Sequence, residues 1–365
     1  MKKSITALVL ILAFLLSMLG CTSTTTPANS NSGSSSDGTS SADSAATAAG
    51  NQETKFLSFG SFNSGTFQYM YAAAFAGSIK NHVPYLNFTN EATSGTSENL
   101  DLLYRGEIGL SVSSPERLYN AYNGIDKYQE KGKLNCGIMW CFMQQASLLF
   151  VKADSNIKGF GDLAGKKVCI GAAGSSNETK NSFILDAYGY TRKDPEGYEF
   201  NELQTFSIDY TEGASALSDG TVDAIIATQP LPEPSLYELA LVTPLKVYGL
   251  DPDKFEEIRK NYAWMWDVKV PADTYPEQDA LIETLGDPNY IVASLDLVSE
   301  EDAYNMTKAY VEKILPQLGE QFDTVKPYLA DPSLLMANWV IPGHPGAVKY
   351  FKEKGYDVSV IEPKG

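Results

Sequence analysis

Histidine is nearly absent: His82 and His344 are the two in 365 residues. Neither belongs to an HExxH helix or stands beside a GxSxG elbow, so the constellations of a zincin or a serine hydrolase are missing. Cysteine is scarce as well, with four residues. Cys136, Cys141 and Cys169 sit among apolar neighbours at no metal-ligand spacing, which reads as buried thiols more than as a disulfide framework, and one disulfide among them stays open. Positive charge is short too, with 28 Lys and Arg against 45 Asp and Glu and a formal net charge of −17. Such a surface repels phosphate backbones and anionic lipid, so no nucleic acid is expected as a partner.

No apolar run long enough for a transmembrane segment follows residue 19. The run 5–19 follows Lys2 and Lys3 and precedes Gly20 and Cys21, the order of a lipoprotein signal peptide over 1–20 with lipidation of Cys21. An ordinary signal or a single anchor helix is the alternative, and either reading puts the bulk of the chain outside the cytoplasm, anchored to the membrane in the first case. Residues 21–53 are rich in Ser, Thr, Ala, Gly and Asn, with too little apolar surface to offset chain entropy; a disordered tether is expected. The stretch from residue 54 onward is too long for one core and is expected to form two lobes, 54–148 with 295–365, and 149–294.

A lysine is missing where it would matter most. In "FGSFNSGTFQYMY" (59–71), Gly60 and Gly65 have the spacing of a phosphate-binding loop, yet Thr66 and Phe67 stand where lysine and a hydroxyl belong. No Walker-type magnesium ligand is evident, which argues against a nucleotide.

What is present is alternation. Apolar runs and amphipathic stretches predict strand 56–61, helix 67–80, strand 85–91, helix 97–104, strand 108–113 and helix 116–122. A second unit reads as strand 168–172, helix 177–188, a strand near 203–207, helix 214–217, strand 222–228, helix 233–241 and strand 245–250. These are two α/β units, each a mainly parallel sheet flanked by helices, with 146–153 and 290–298 as the crossing hinge strands.

Ligands of open α/β sheets bind beyond the carboxyl ends of the strands. Three loops there, "GSFNSGTF", "TSGTSENL" (93–100) and "GAAGSSNET" (171–179), carry glycine and hydroxyls into a helix start. Free N–H groups and the helix dipole favour an anion at such places, although ordinary N-capping accounts for each loop taken singly. The candidate contacts are Ser61, Gly65, Thr66, Thr96, Asn99, Ser175, Ser176 and Asn177. Tyr69 and Tyr71 are ligand neighbours or core. Glu116 either holds an ammonium or complements the dipole of its helix. Gln229 and Pro230 are pocket wall or strand-ending turn; Arg105 and Lys152 are countercharges or solvated surface groups; His344 in "GHPG" reads as a structural turn residue.

From residue 56 to about 356 the chain resembles the TAXI solute receptors of TRAP (tripartite ATP-independent periplasmic) transporters. The likeness is carried by an ordered series: "GSFNSGTF", "TSGTSENL", "LLYRGEIGLS", "YNAYNG", "LFVKADSNIKGFGDLAGKKVCIGAAGSSNET", "LSDGTVDAIIATQP", "PADTYP" and "IPGHPGAVKYFKEKG". It departs where the family has Gly-Thr-Tyr-Tyr and this chain has Phe67 and Gln68, where Ser114, Pro115 and Glu116 replace Gln-x-Asp, and where Ser175, Ser176 and Asn177 follow Gly174. The resemblance implies a type II-like two-lobed periplasmic binding protein fold and a monomeric receptor without metal, ATP or redox cofactor. It implies a small carboxylate or amino acid as solute, such as glutamate, glutamine or 2-oxoglutarate, and integral-membrane TRAP subunits as partners. A solute sensor serving a signalling receptor, or an enzyme on the same fold, is the alternative.

Overall fold

The structure is a computed structural model that describes residues 53–361. The expected signal segment 1–20, the lipidation of Cys21 and all of the tether 21–53 but its last residue lie outside the described residues. Among those described, no helix is long and apolar enough to cross a membrane.

The first unit runs β1 (Lys55–Gly60), α1 (Phe67–Ile79), β2 (Leu86–Glu91), α2 (Thr96–Tyr104), β3 (Leu110–Ser113) and α3 (Pro115–Asn123). Thr66 starts α1 by accepting the Tyr69 N–H, and the helix buries the stripe Gln68, Tyr71, Ala72, Phe75, Ala76 and Ile79 at helical spacing. β1 lies between β2 and β3, parallel to both. Gly60 ends β1 where a Cβ would stand 2.6 Å from Asn99 Oδ1, so no side chain fits there.

β4 (Cys136–Lys152) then carries the chain out of this unit. It is buried almost throughout, and Gln144 and Gln145 interrupt an otherwise nearly apolar sequence. That interruption marks a change of partner. Residues Cys136 to Gln144 pair antiparallel with β11 (Pro288–Ser294), and Gln145 to Val151 pair antiparallel with β7 (Ala224–Pro230).

The second unit contains β5 (Lys167–Cys169), α4 (Ser176–Ala187), β6 (Gln204–Phe206), α5 (Tyr210–Asp219), β7, α6 (Pro234–Val242) and β8 (Leu245–Tyr248). β5 lies parallel between β6 and β7, while β8 lies antiparallel on β4. After α7 (Phe255–Asn261), strands β9 (Trp266–Val270) and β10 (Ile282–Gly286) form a small antiparallel pair, and β11 returns the chain to the first sheet beside β3. Helices α8 (Glu300–Ala309), α9 (Leu315–Gln321), α10 (Lys326–Ala330) and α11 (Pro345–Glu353) complete the fold, with a π turn at Tyr310–Ile314. The expected two-lobed α/β architecture is therefore present, its parallel halves joined through antiparallel crossing strands.

Some local expectations are corrected. The first crossing strand starts at Cys136 rather than 146, because its first half is an inner strand of the first sheet. The helix expected over 214–217 spans Tyr210–Asp219, since Asp209 caps it by accepting the Glu212 N–H. β9 and β10 were not expected.

The first core centres on aromatic stacking: Tyr310, in the π turn, lies 4.0 Å from Trp140 with 7° between the rings, and Trp140 Nε1 donates to Tyr71 Oη at 3.0 Å. His344 is 1% exposed and caps α11. Its Nδ1 accepts the Gly346 N–H at 3.4 Å and its Nε2 faces the Val298 carbonyl at 3.0 Å, a pattern that only the neutral Nε2–H ring satisfies.

Two predictions concern stability. Gly286 closes β10 where a Cβ would collide with the Gln145 carbonyl oxygen, so Gly286→Ala should cost about 3 kcal/mol or more, read from urea unfolding. Burial lowers the His344 pKa below 6.5, so the unfolded chain binds the proton first as pH falls. Stability should decline from about pH 6.5 downward until the folded-state pKa is passed, and His344→Gln should flatten that slope.

Candidate functional site

Strand direction decides where the loops meet. Ser113, the last residue of β3, stands opposite Tyr290 of β11, which stands opposite Cys141 of β4. From the other side, Gln229 and Pro230 at the end of β7 stand opposite Ala146 and Gln145. The carboxyl ends of both parallel sheets therefore run toward one stretch of β4, residues 141–145, roughly 13 Å long at about 3.3 Å per residue. The loops after β1, β2, β5 and β7 gather around that crossing, where a ligand of such a fold sits.

In the first half, Gly65 is open, with nothing within 4 Å of its Cβ position. Thr66 Oγ1 donates to the Asn63 carbonyl at 2.7 Å while capping α1, and Tyr69 is half-buried one turn on. Ser61 and Asn99, expected to touch the solute, are spent inside the fold. Both are fully buried; Ser61 Oγ donates to the Glu91 carbonyl at 3.0 Å. Asn99 Nδ2 donates to the carbonyls of Ser61 at 3.0 Å and Val112 at 2.9 Å, and its Oδ1 accepts from Thr93 Oγ1 at 2.8 Å. Asn99 is thus a clamp on the ends of β1 and β3. Thr96 is likewise occupied, its Oγ1 accepting the Ser114 N–H at 3.1 Å.

The second half repeats the clamp from a different helix. Asn181 of α4 donates through Nδ2 to the carbonyls of Ile170 at 3.0 Å and Ile226 at 2.9 Å, and its Oδ1 accepts from Thr228 Oγ1 at 2.8 Å. Gly171, with φ of +103°, lets the chain turn there; a Cβ would stand 3.3 Å from both Asn177 Cβ and the Glu178 nitrogen. Ser175 caps α4 by accepting the Glu178 N–H at 3.1 Å, and Glu178 Oε2 accepts the Gly174 N–H at 2.7 Å. Ser176 and Asn177 are half-buried at the helix start, and Gln229 is half-buried at the end of β7.

Two groups at the crossing were missed from sequence. Lys180 Nζ, 1% exposed, lies 2.9 Å and 3.1 Å from the two carboxylate oxygens of Asp287 and 2.8 Å from Gln145 Oε1. Burial pushes the Asp287 carboxyl above the ordinary carboxylate range, and the Lys180 ammonium opposes that shift. Arg105 and Lys152, weighed as countercharges, are used elsewhere: Arg105 pairs with Glu107 and Lys152 donates to the Ser218 carbonyl at 2.7 Å. A lysine in the fifth position of a polar helix start gives no signal of burial; only the crossing strands supply its partners.

Glu116 contacts the other half. Its Oε2 accepts from Tyr262 Oη at 3.0 Å, Tyr262 stacks 5.6 Å from Phe183 of α4, and Tyr119 of α3 lies 5.0 Å from Trp264. The described cysteines are free and buried, with burial pushing the Cys141 thiol up to about 12 and Cys169 up to about 11. They are poor nucleophiles at neutral pH.

The ion pair predicts a contrast between variants. Lys180→Met alone strands a buried carboxylate and should destabilise by about 3–5 kcal/mol, whereas Lys180→Met with Asp287→Leu should recover most of that loss in urea unfolding.

Among solved structures, the chain is similar to the periplasmic aliphatic sulphonate binding protein SsuA from Escherichia coli, with 13% identity, a TM-score of 0.44, and coverage of 85% of this chain and 94% of that one. It is also similar to a chain from the structural study of glutathione import through GshT and the cystine ABC importer TcyBC of Streptococcus mutans, with 15% identity, a TM-score of 0.43, and coverage of 76% and 95%. At these values neither ligand nor partner of this chain follows from the likeness. Residues 60–355, from the glycine that ends β1 to just past α11, match the family model as one block, and the chain belongs to the NMT1-like family.

Proposed function

We propose that this chain is an extracytoplasmic solute receptor that captures a small carboxylate or amino acid between its two halves and hands it to a membrane permease of the TRAP type. The observation that carries this reading is the convergence of two long helices, α1 and α4, whose capped starts follow β1 and β5 toward one crossing point. Each helix start offers unpaired backbone N–H groups and the positive end of a dipole, a fit for a carboxylate. In this reading Gly65, Thr66, Ser175, Ser176 and Asn177 supply the contacts, with Tyr69 and Gln229 at the walls and Glu116 closing the far side. Ser61, Thr96 and Asn99 shape the loops from behind.

Capture without turnover agrees with the chemistry of the described residues: the thiols are buried, His344 serves as a helix cap, and His82 is exposed. The partner and the lipid anchor rest on the resemblance to TAXI receptors and on the segment around Cys21. A solute touching both halves stabilises the closed population by its differential affinity, and the closed shape is what a permease would recognise.

Thermal unfolding of refolded, ligand-stripped protein tests the reading against amino acids, dicarboxylates, sugars and cationic osmolytes. An amino acid or dicarboxylate at a hundred times its dissociation constant should add about 2.7 kcal/mol of stability, with sugars and cations inert. A midpoint raised only by a sugar or a cation would refute the anion site.

A further inference from the structure

The helices that open the two halves carry the same chemistry at the same position. α1 is capped by Thr66 and α4 by Ser175, which makes Gln68 and Asn177 the second residue of each helix. Each heads its helix's inward stripe: buried Gln68 stands in line with buried Tyr71, Ala72 and Phe75, and half-buried Asn177 with buried Asn181, Ile184 and Leu185. The two carboxamides therefore stand at the inner edges of the two helix starts that converge on the crossing.

Neither carboxamide is used by the fold. Gln68 is 5% exposed and among the described residues no hydrogen bond reaches its side chain, although its carboxamide atoms, unlike Asn177 Oδ1, are not fully shielded from solvent. Asn177 Oδ1 is shielded from solvent and has no donor among the described residues. Asn99 and Asn181, by contrast, each make bonds through both ends of the carboxamide. A shielded polar atom left unpaired, as Asn177 Oδ1 is, is destabilising, and such atoms persist where a ligand supplies the partner.

We propose that Gln68 and Asn177 are the specificity-determining pair of the cleft, their carboxamide oxygens taking the N–H donors of an α-amino acid whose carboxylate lies on the helix-start N–H groups. The inference rests on the receptor reading above and narrows it. A fully ionised dicarboxylate brings acceptors alone and leaves Asn177 Oδ1 unpaired; an amino acid brings donors and a carboxylate together. Sites built to pair a polar ligand group discriminate strongly against an analogue that lacks it.

Isothermal titration of the full chain with L-glutamine, L-glutamate and succinate tests this. The amino acids should bind at least about 100-fold tighter than succinate. Asn177→Leu and Gln68→Met should each narrow that ratio by about 10-fold, mainly by weakening the amino acids, with unfolding midpoints near wild type. Asn177→Asp keeps an acceptor and adds negative charge, so it should retain amino acid binding and reject succinate further, an outcome that loss of packing would not produce. Succinate binding as tightly as glutamine, or a ratio unchanged in all three variants, overturns the inference and leaves the receptor reading standing. No binding by any of the three probes overturns the carboxylate-receptor reading and the inference with it.

Discussion

Lys180 and Asp287 form an ion pair with almost no solvent contact at the place where β4 leaves one sheet for the other. The ammonium also meets Gln145, whose backbone N–H donates to the Asp287 carbonyl at 2.8 Å, so one side chain of α4 ties both crossing strands together. Hydrophobic residues would hold such a point with less desolvation, and buried pairs of this kind are better explained by the arrangement they impose than by net stability. Here the arrangement is the position of α4 relative to the crossing. A helix whose start is a candidate anion site is bonded directly to the crossing between the two sheets.

The same helix is held a second way. Asn181, next to Lys180, grips the Ile170 and Ile226 carbonyls just beyond the last paired residues of the β5–β7 ladder, and a chain of hydroxyls continues from it through Thr228 and Ser147, with Thr284 donating to the Ser147 carbonyl at 2.6 Å. In the first half Asn99 grips the ends of β1 and β3, but from α2 rather than from the helix after the first strand. Two unrelated placements of asparagine thus satisfy the same need: buried carbonyls just past the point where a parallel ladder stops require donors. Rigid strand ends hold the loops beyond them in fixed positions, which is what a preorganised binding site requires.

The acidic surface does not oppose an anionic ligand at this place. Charges beyond about 10 Å are largely screened at moderate salt, whereas N–H groups at a helix start act at contact distance. The Glu116 and Tyr262 contact, with Trp264 beside Tyr119, joins the halves on one side of the crossing.

The sequence by itself determined the class of fold, because alternating apolar and amphipathic runs of the right length admit little besides parallel α/β units, and it determined where the glycine and hydroxyl loops enter helices. Thr66 and Ser175 were legible as helix starts for the same local reason. What only the tertiary structure decided is which polar side chains are free. Ser61, Thr96 and Asn99 looked like contacts because their residue types suit a ligand, yet strand ends distant in sequence consume them. Lys180 looked like surface, yet its partners lie 35 and 107 residues away. Gln68 stood out in sequence only as a departure from a pattern. Hydrogen-bond satisfaction is a property of neighbours, and neighbours across a crossing strand are set by register, which no local stretch of sequence contains.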